Sequence, residues 1–392
     1  MKKLTERILL TAIFVALVVP FVAVAGGTGE DQAAEIPAPM EKESKTAKYV
    51  FMFIGDGMGA PQINAAEAYT AAKMGQIDPE LLSFSKFPAA GLTTTHAADR
   101  FITGSAASAT AMSCGYKTAI GVIAMDPSKT RNYKTITEMA KEAGMKVGIV
   151  SSVDIDHATP AAFYSHAPSR NEYYEIGLQM ADSGFDYFGG GICRLSKTPE
   201  GKPTVLEVME DKGWQLADTR GGLQALAKGK KAFAYTKGFT GDALMYALDE
   251  GKGDYADKEI TLAEFTAKGI ELLDNPEGFF MMVEGGKIDW ACHANDAGAS
   301  IQDTLAFDAA VQEAIDFYYE HPDETLIVVT GDHECGGLTL GFAGTGYDTA
   351  FDLLAEQKVS YEYFDTYVLG PYKKANSRGS LDDIMPEIEE YF

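Results

Sequence analysis

Apolar residues along this chain gather in short runs that end at glycine- and acid-rich turns, with longer segments of helical spacing between them. The run Tyr49 to Ile54 ends in Gly55-Asp56-Gly57-Met58-Gly59, and a helical pattern follows from about Gln62 to Lys73. The alternation continues with a helix near Thr135 to Ala143, a strand Lys146 to Val150, a helix Asn171 to Asp182 and a strand Phe185 to Phe188. Later come a helix around Ile260 to Leu273, a strand Phe279 to Val283, a long helix Ile301 to Tyr319 and a strand Thr325 to Thr330. Short strands separated by helices of this length predict an α/β fold, a doubly wound and mainly parallel sheet flanked by helices. From Gly189 to about Asp257 the pattern fades amid Gly and Lys, which predicts an irregular insertion over the sheet. The final segment, Asp365 to Phe392, is charged and helical in pattern.

The N-terminus reads differently. Lys2, Lys3 and Arg7 precede an apolar run from Ile8 to Val24, broken by Pro20 and closing on Ala23-Val24-Ala25. That order is a secretory signal over residues 1–25, so export to a periplasm or beyond is expected. A membrane-spanning anchor is the rival reading, but the run is short of roughly 20 clean apolar residues and ends in a cleavage pattern, so no stable anchor is expected. Residues 26–48, rich in Gly, Ala, Pro and Glu, predict a flexible leader. Residues 49–392 are then expected to form one domain.

Charge narrows the partners. The formal net charge is −24, and loss of the signal removes three bases and one acid to leave about −26, which disfavours nucleic acid and anionic lipid. Any phosphate site must therefore draw on local cations, whether metal ions or a particular Arg. The four cysteines, Cys114, Cys193, Cys292 and Cys335, allow three full pairings, or serve as small buried residues beside the motifs below.

Ligands of a doubly wound sheet collect beyond the C-terminal strand ends, and the acid- and His-containing motifs fall there: Asp56, Asp154 to His157, Glu284 to His293, and Asp332-His333. Asp56 lies between two glycines, where a carboxylate can approach a cation closely, although Asp-Gly is also ordinary turn chemistry. Thr103-Gly104-Ser105-Ala106-Ala107-Ser108-Ala109-Thr110-Ala111 places a Ser at a helix start, suited to phosphate or to a plain N-cap. Asp289 and His293 share a face if that segment is helical, and oxygen plus nitrogen suit zinc. Glu284 suits a harder ion such as magnesium.

Together these segments resemble the alkaline phosphatases over nearly the whole chain from Tyr49 to about Gly341. The resemblance implies Ser105 as nucleophile and assigns His157-Ala158-Thr159-Pro160-Ala161-Ala162 through Ser169-Arg170 to the segment whose Thr supports magnesium and whose Arg clasps phosphate. It implies two zinc ions and one magnesium: Asp289 and His293 at the first zinc, Asp56, Asp332 and His333 at the second, and Asp56, Thr159 and Glu284 at magnesium. His157 and Trp290 would stand just outside those sites. The implied reaction is hydrolysis of small phosphate monoesters through a phosphoserine intermediate, by a homodimer. A related phosphodiesterase, or a non-catalytic metal- and phosphate-binding protein, is the alternative.

Two features depart from the family pattern. No His follows His333 to supply a further zinc ligand, and the chain ends where relatives continue into a last strand, so a missing C-terminal part and a first zinc site with two protein ligands are expected. His96, His166 and His321 read as structural. Gly104 stands where many relatives carry an acid that positions the Arg, which should leave Arg170 less constrained.

Overall fold

The computed structural model describes residues 46–238, 241–253 and 259–392; the signal and leader expected at the N-terminus lie outside them. Seven parallel strands make one sheet: β1 Tyr49–Gly55, β2 Lys146–Asp154, β3 Tyr187–Gly191, β4 Gln215–Ala217, β5 Ala232–Thr236, β6 Phe279–Gly285 and β7 Thr325–Gly331. Their order across the sheet is β4-β5-β3-β2-β6-β1-β7. Residues Thr46–Phe392 belong to one compact unit. Among the described residues no helix is long and apolar enough to cross a membrane.

Strand side chains alternate between two cores. Val147, Ile149, Phe280 and Met282 enter a cluster with Ile176, Met180 and Trp214 on one face, whereas Phe51, Phe53, Phe279, Met281 and Val283 enter one with Phe265, Phe307 and Phe317 on the other. Both faces of β1, β2 and β6 are therefore covered, which is why those strands read as continuous apolar runs. Each fully buried Phe contributes about 1.5–3 kcal/mol of transfer free energy. Five helices matter to the argument: α1 Ala60–Lys73, α2 Ser105–Cys114, α3 Leu262–Leu273, α4 Lys287–His293 and α5 Ala297–Glu320. Helix α4 follows β6 directly, so Asp289 and His293 sit on a seven-residue helix at the strand's exit.

The stretch from Gly189 to about Asp257 corrects the expectation of a purely irregular insertion over the sheet, because β4 and β5 lie within it and extend the sheet's edge. Ala-Phe-Ala-Tyr-Thr in β5 is mostly buried, but at this length it carries too little periodicity to be seen amid the neighbouring glycines and lysines. At the opposite edge β7 is only half buried, with Leu326 and Val328 exposed.

Candidate active site

Parallel register sets four strand ends level. Gly55 lies beside Gly285 on one side and Gly331 on the other, and Glu284 pairs with Ile54 and Ser151. Asp56 and Asp332 thus leave the sheet as neighbours, each one residue past its strand, with Glu284 alongside. Close packing at this exit requires glycine: a Cβ at Gly331 would stand 2.0 Å from the Met58 carbonyl oxygen.

Asp56 is fully buried and shared between two groups. Its Oδ1 accepts from Ser105 Oγ at 3.4 Å and lies 3.2 Å from His333 Nε2, while its Oδ2 accepts from Thr159 Oγ1 at 3.3 Å. His333 Nε2 is also 3.5 Å from Asp332 Oδ2, yet this buried nitrogen makes an aligned hydrogen bond with neither carboxylate. The Glu334 carbonyl, 3.0 Å from His333 Nδ1, can only accept, so Nδ1 carries a proton and Nε2 faces the acids. Nitrogen and oxygens that converge on one point without bonding each other have the arrangement of metal ligands, with the second ring nitrogen held as such ligands are.

Burial and mutual charge shift the titration of these groups in opposite directions. Burial drives Glu284 and Asp332 well above the usual carboxylate range, and the Asp56 charge adds to it. Burial and then Asp56 likewise raise Asp289. Asp56 goes the other way, to about 2, because contact with His333 and the charges of His333 and His157 outweigh its burial. Burial disfavours the His333 imidazolium, but Asp56 and Asp332 outweigh it and hold the group up at about 10. A divalent ion would supply the positive charge these acids otherwise take from protons.

Three sets of potential ligand atoms lie within 4.8 Å of one another: Asp56, Asp332 and His333; Asp56, His157 and Glu284; and Asp289, His293 and Cys335. Glu284 Oε1, His157 Nδ1, Asp289 Oδ1 and His333 Nε2 are all buried without a hydrogen-bond partner, at least one in each set. The donor chemistry fits zinc at the sets that contain His333 and His293, and a hard ion at the paired carboxylates of Asp56 and Glu284 in the third, where the other Glu284 oxygen accepts from Ser151 Oγ.

Ser105 begins the ten-residue α2 behind an extended Gly104 that offers no side-chain cap, which leaves the first N–H groups of the helix without a side-chain partner. Arg170, half-buried, directs Nη2 at His157 Nε2, 2.8 Å away. Burial, chiefly, holds His157 down at about 4, so the imidazole is neutral and accepts from Arg170. Trp290 packs its ring edge-on to His157 at 5.7 Å. Arg170 therefore rests on an imidazole, and a side chain added at Gly104 would meet open space.

Every residue proposed from sequence lies at this end of the sheet, and His157 stands closer to the metal-ligand set than its expected outer position. His321 is remote, packed on Tyr49 and Phe317 at the start of β1. His166 pairs with Glu138, and His96 is exposed. Sequence reasoning missed Ser108, which donates to Asp332 Oδ2 at 3.1 Å, as well as Ser151 and Cys335. Ser108 had a signal, lying three residues from Ser105 on one helix face; Ser151 and Cys335 had only proximity to motifs.

Residues 47–187 and 197–388 match the family described as alkaline phosphatase. The chain belongs to the alkaline phosphatase family. It is a phosphoric monoester hydrolase of a metal-dependent family. Alkaline phosphatase 4 of Bacillus subtilis (strain 168) is 31% identical over 339 residues, covering 84% of this chain and 70% of that protein. Among solved structures, the cold-active alkaline phosphatase of a psychrophilic Shewanella superposes with a TM-score of 0.72 at 31% identity, covering 82% of this chain and 77% of that one. A variant of the alkaline phosphatase from the Antarctic bacterium TAB5, described with Mg bound in its M3 site, gives 0.62 at 31% identity over 75% of this chain and 80% of that one. The Shewanella match shares the helix-flanked parallel sheet described above.

Proposed function

We propose that this alkaline phosphatase hydrolyses phosphate monoesters through a phosphoserine intermediate on Ser105, at a site holding two zinc ions and one magnesium. Asp289 and His293 would hold the first zinc, Asp56, Asp332 and His333 the second, and Asp56, Thr159 and Glu284 the magnesium. The observation that carries the proposal is the division of Asp56, one oxygen toward Ser105 and His333 and the other toward Thr159. When bound, the ions supply Lewis-acid charge that favours the Ser105 alkoxide and the departing oxygen.

Ser105 Oγ, losing its proton to solvent, forms a bond to phosphorus as the bond to the ester oxygen breaks, and the alcohol leaves after taking a proton from solvent. Water then attacks the phosphoserine, returning the Ser105 hydroxyl and releasing phosphate. Arg170, leaving His157, offers two parallel N–H donors to the nonbridging oxygens, and the α2 N-terminus adds backbone N–H groups. Neutral His157 then regains a free Nε2. Export, a homodimeric assembly and the absence of a stable anchor belong to the same proposal.

Hydrolysis of an aryl phosphate with zinc and magnesium added, measured for the native protein and Ser105→Ala, tests it. Loss on the order of 10³-fold or more is expected for a removed nucleophile. Equal rates would remove Ser105 from the mechanism, and a preference for a diester substrate would favour the phosphodiesterase reading.

A further inference from the structure

We propose that Cys335 is the third protein ligand of the first metal site, making it an aspartate–histidine–thiolate zinc centre. The proposal rests on the reading that Asp289 and His293 bind metal, and it replaces the expectation of two protein ligands there. Asp289 Oδ2 and His293 Nε2, one helical turn apart on α4, are 3.3 Å from each other. Two ligands at tetrahedral angles with zinc bonds of about 2.0–2.1 Å stand roughly 3.3–3.4 Å apart, so this pair already has the required spacing. Cys335 brings its sulfur within the same 4.8 Å group.

A second observation points independently to an ion. Asp289 is 4% exposed, and its Oδ1 is buried with no hydrogen-bond partner. A carboxylate oxygen left in that state is costly unless a cation meets it. The backbone also holds Cys335 toward this point. Gln62 Nε2 donates to the Cys335 carbonyl at 2.9 Å, and Gly336 and Gly337 take φ of +78° and +63° immediately after it. A Cβ at Gly57 would fall 2.8 Å from Cys335 Cβ and 2.9 Å from Asp289 Oδ1, so both residues press on the same glycine.

The other nearby thiol is otherwise occupied: Cys292 Sγ lies 3.3 Å from Ser300 Oγ and accepts from Gln62 Nε2 at 3.5 Å. Cys335 Sγ lies 3.8 Å from the Asp289 carbonyl oxygen and also meets the Asp289 carboxyl group, and it is partly exposed, beside the exposed His293. Three protein ligands with an open side is the pattern of a catalytic zinc. A thiolate is softer than an imidazole, so this site should select zinc more strongly against magnesium or manganese than the all-oxygen-and-nitrogen site beside it.

The test uses the full chain, stripped by chelator and reloaded with cobalt(II) in place of zinc. A thiolate-to-cobalt charge-transfer absorption in the near ultraviolet is expected, abolished by Cys335→Ser and kept in Cys292→Ser and Cys114→Ser. Zinc titration against a chromophoric competitor should show one site weakened more than roughly 100-fold in Cys335→Ala, since loss of a mere outer-shell partner already costs 10–100-fold. Cys335→His, which keeps a ligand, should retain the stoichiometry but lose the charge-transfer absorption, and it stands in if the Ala variant does not fold. No such absorption in the native protein, with unchanged zinc affinity in the Cys335 variants, overturns the proposal. Asp289→Asn separates the two readings: if it loses the ion while Cys335 variants keep it, only the thiolate assignment fails, whereas if it too keeps the ion the site itself has been misassigned.

Discussion

Replacing Gly57 by alanine should damage the fold and the first metal site together, and Gly75 provides an internal control. Both glycines have φ of +67°. At Gly75, just past α1, an added Cβ meets nothing within 4 Å. Gly75→Ala therefore costs only the left-handed backbone penalty, about 1–2 kcal/mol. At Gly57 the same penalty applies, and the new methyl falls 2.8 Å from Cys335 Cβ, 2.9 Å from Asp289 Oδ1 and 3.1 Å from Asp289 Cα. One of those neighbours is backbone, so relief requires moving α4 or the loop after β7, and overpacking of this kind adds about 1–3 kcal/mol. The expected totals are about 2–5 kcal/mol for Gly57→Ala against about 1–2 for Gly75→Ala. Urea unfolding in the presence of chelator measures the two without metal linkage, and zinc titration of both variants measures the site. Zinc affinity should fall at one site in Gly57→Ala and stay native in Gly75→Ala. Equal destabilisation by the two substitutions, or native zinc binding in Gly57→Ala, would refute the packing of the β1 turn against Asp289 and Cys335.

Two further outcomes are expected. His166 Nε2 lies 3.1 Å from Glu138 Oε1, and this contact together with the Ala124 carbonyl raises the histidine against the lowering effect of burial, while Glu138 is lowered chiefly by the same contact. The pair's contribution, about 0.5–1 kcal/mol because Glu138 is over a third exposed, is complete below the ordinary histidine value of 6.5 and lost as pH rises through the elevated one. It is lost again as pH falls through the depressed pKa of Glu138, so the urea stability gap between native protein and His166→Gln should peak between these limits; a gap that stays constant from mildly acidic to alkaline pH would contradict the ion pair. Arg170→Lys removes the two-pronged donor and keeps the charge, so inhibition by inorganic phosphate should weaken roughly tenfold to a hundredfold, with an unchanged inhibition constant showing that Arg170 does not clasp phosphate.

The alternation of apolar runs and helical spacing determined the class of fold, and the motifs at the run ends named the acids, the imidazoles, the serine and the arginine. Those signals are local: a strand buried on both faces must be continuously apolar, and a ligand pair on one helical turn must be four residues apart, as Asp289 and His293 are. Strands β4 and β5 escaped because at three and five residues they carry almost no periodicity, and only the hydrogen bonding of β5 to β3 and of β4 to β5 makes them strands. The sharing of Asp56 between Ser105, His333 and Thr159 depends on the register of β1 against β6 and β7, which joins residues more than 200 positions apart. Cys335 was visible as a cysteine near a motif, with burial and coordination equally open to it. Its place beside Asp289 is decided by the loop after β7 folding back onto the Gly57 turn, a contact between strand ends that no spacing along the chain encodes.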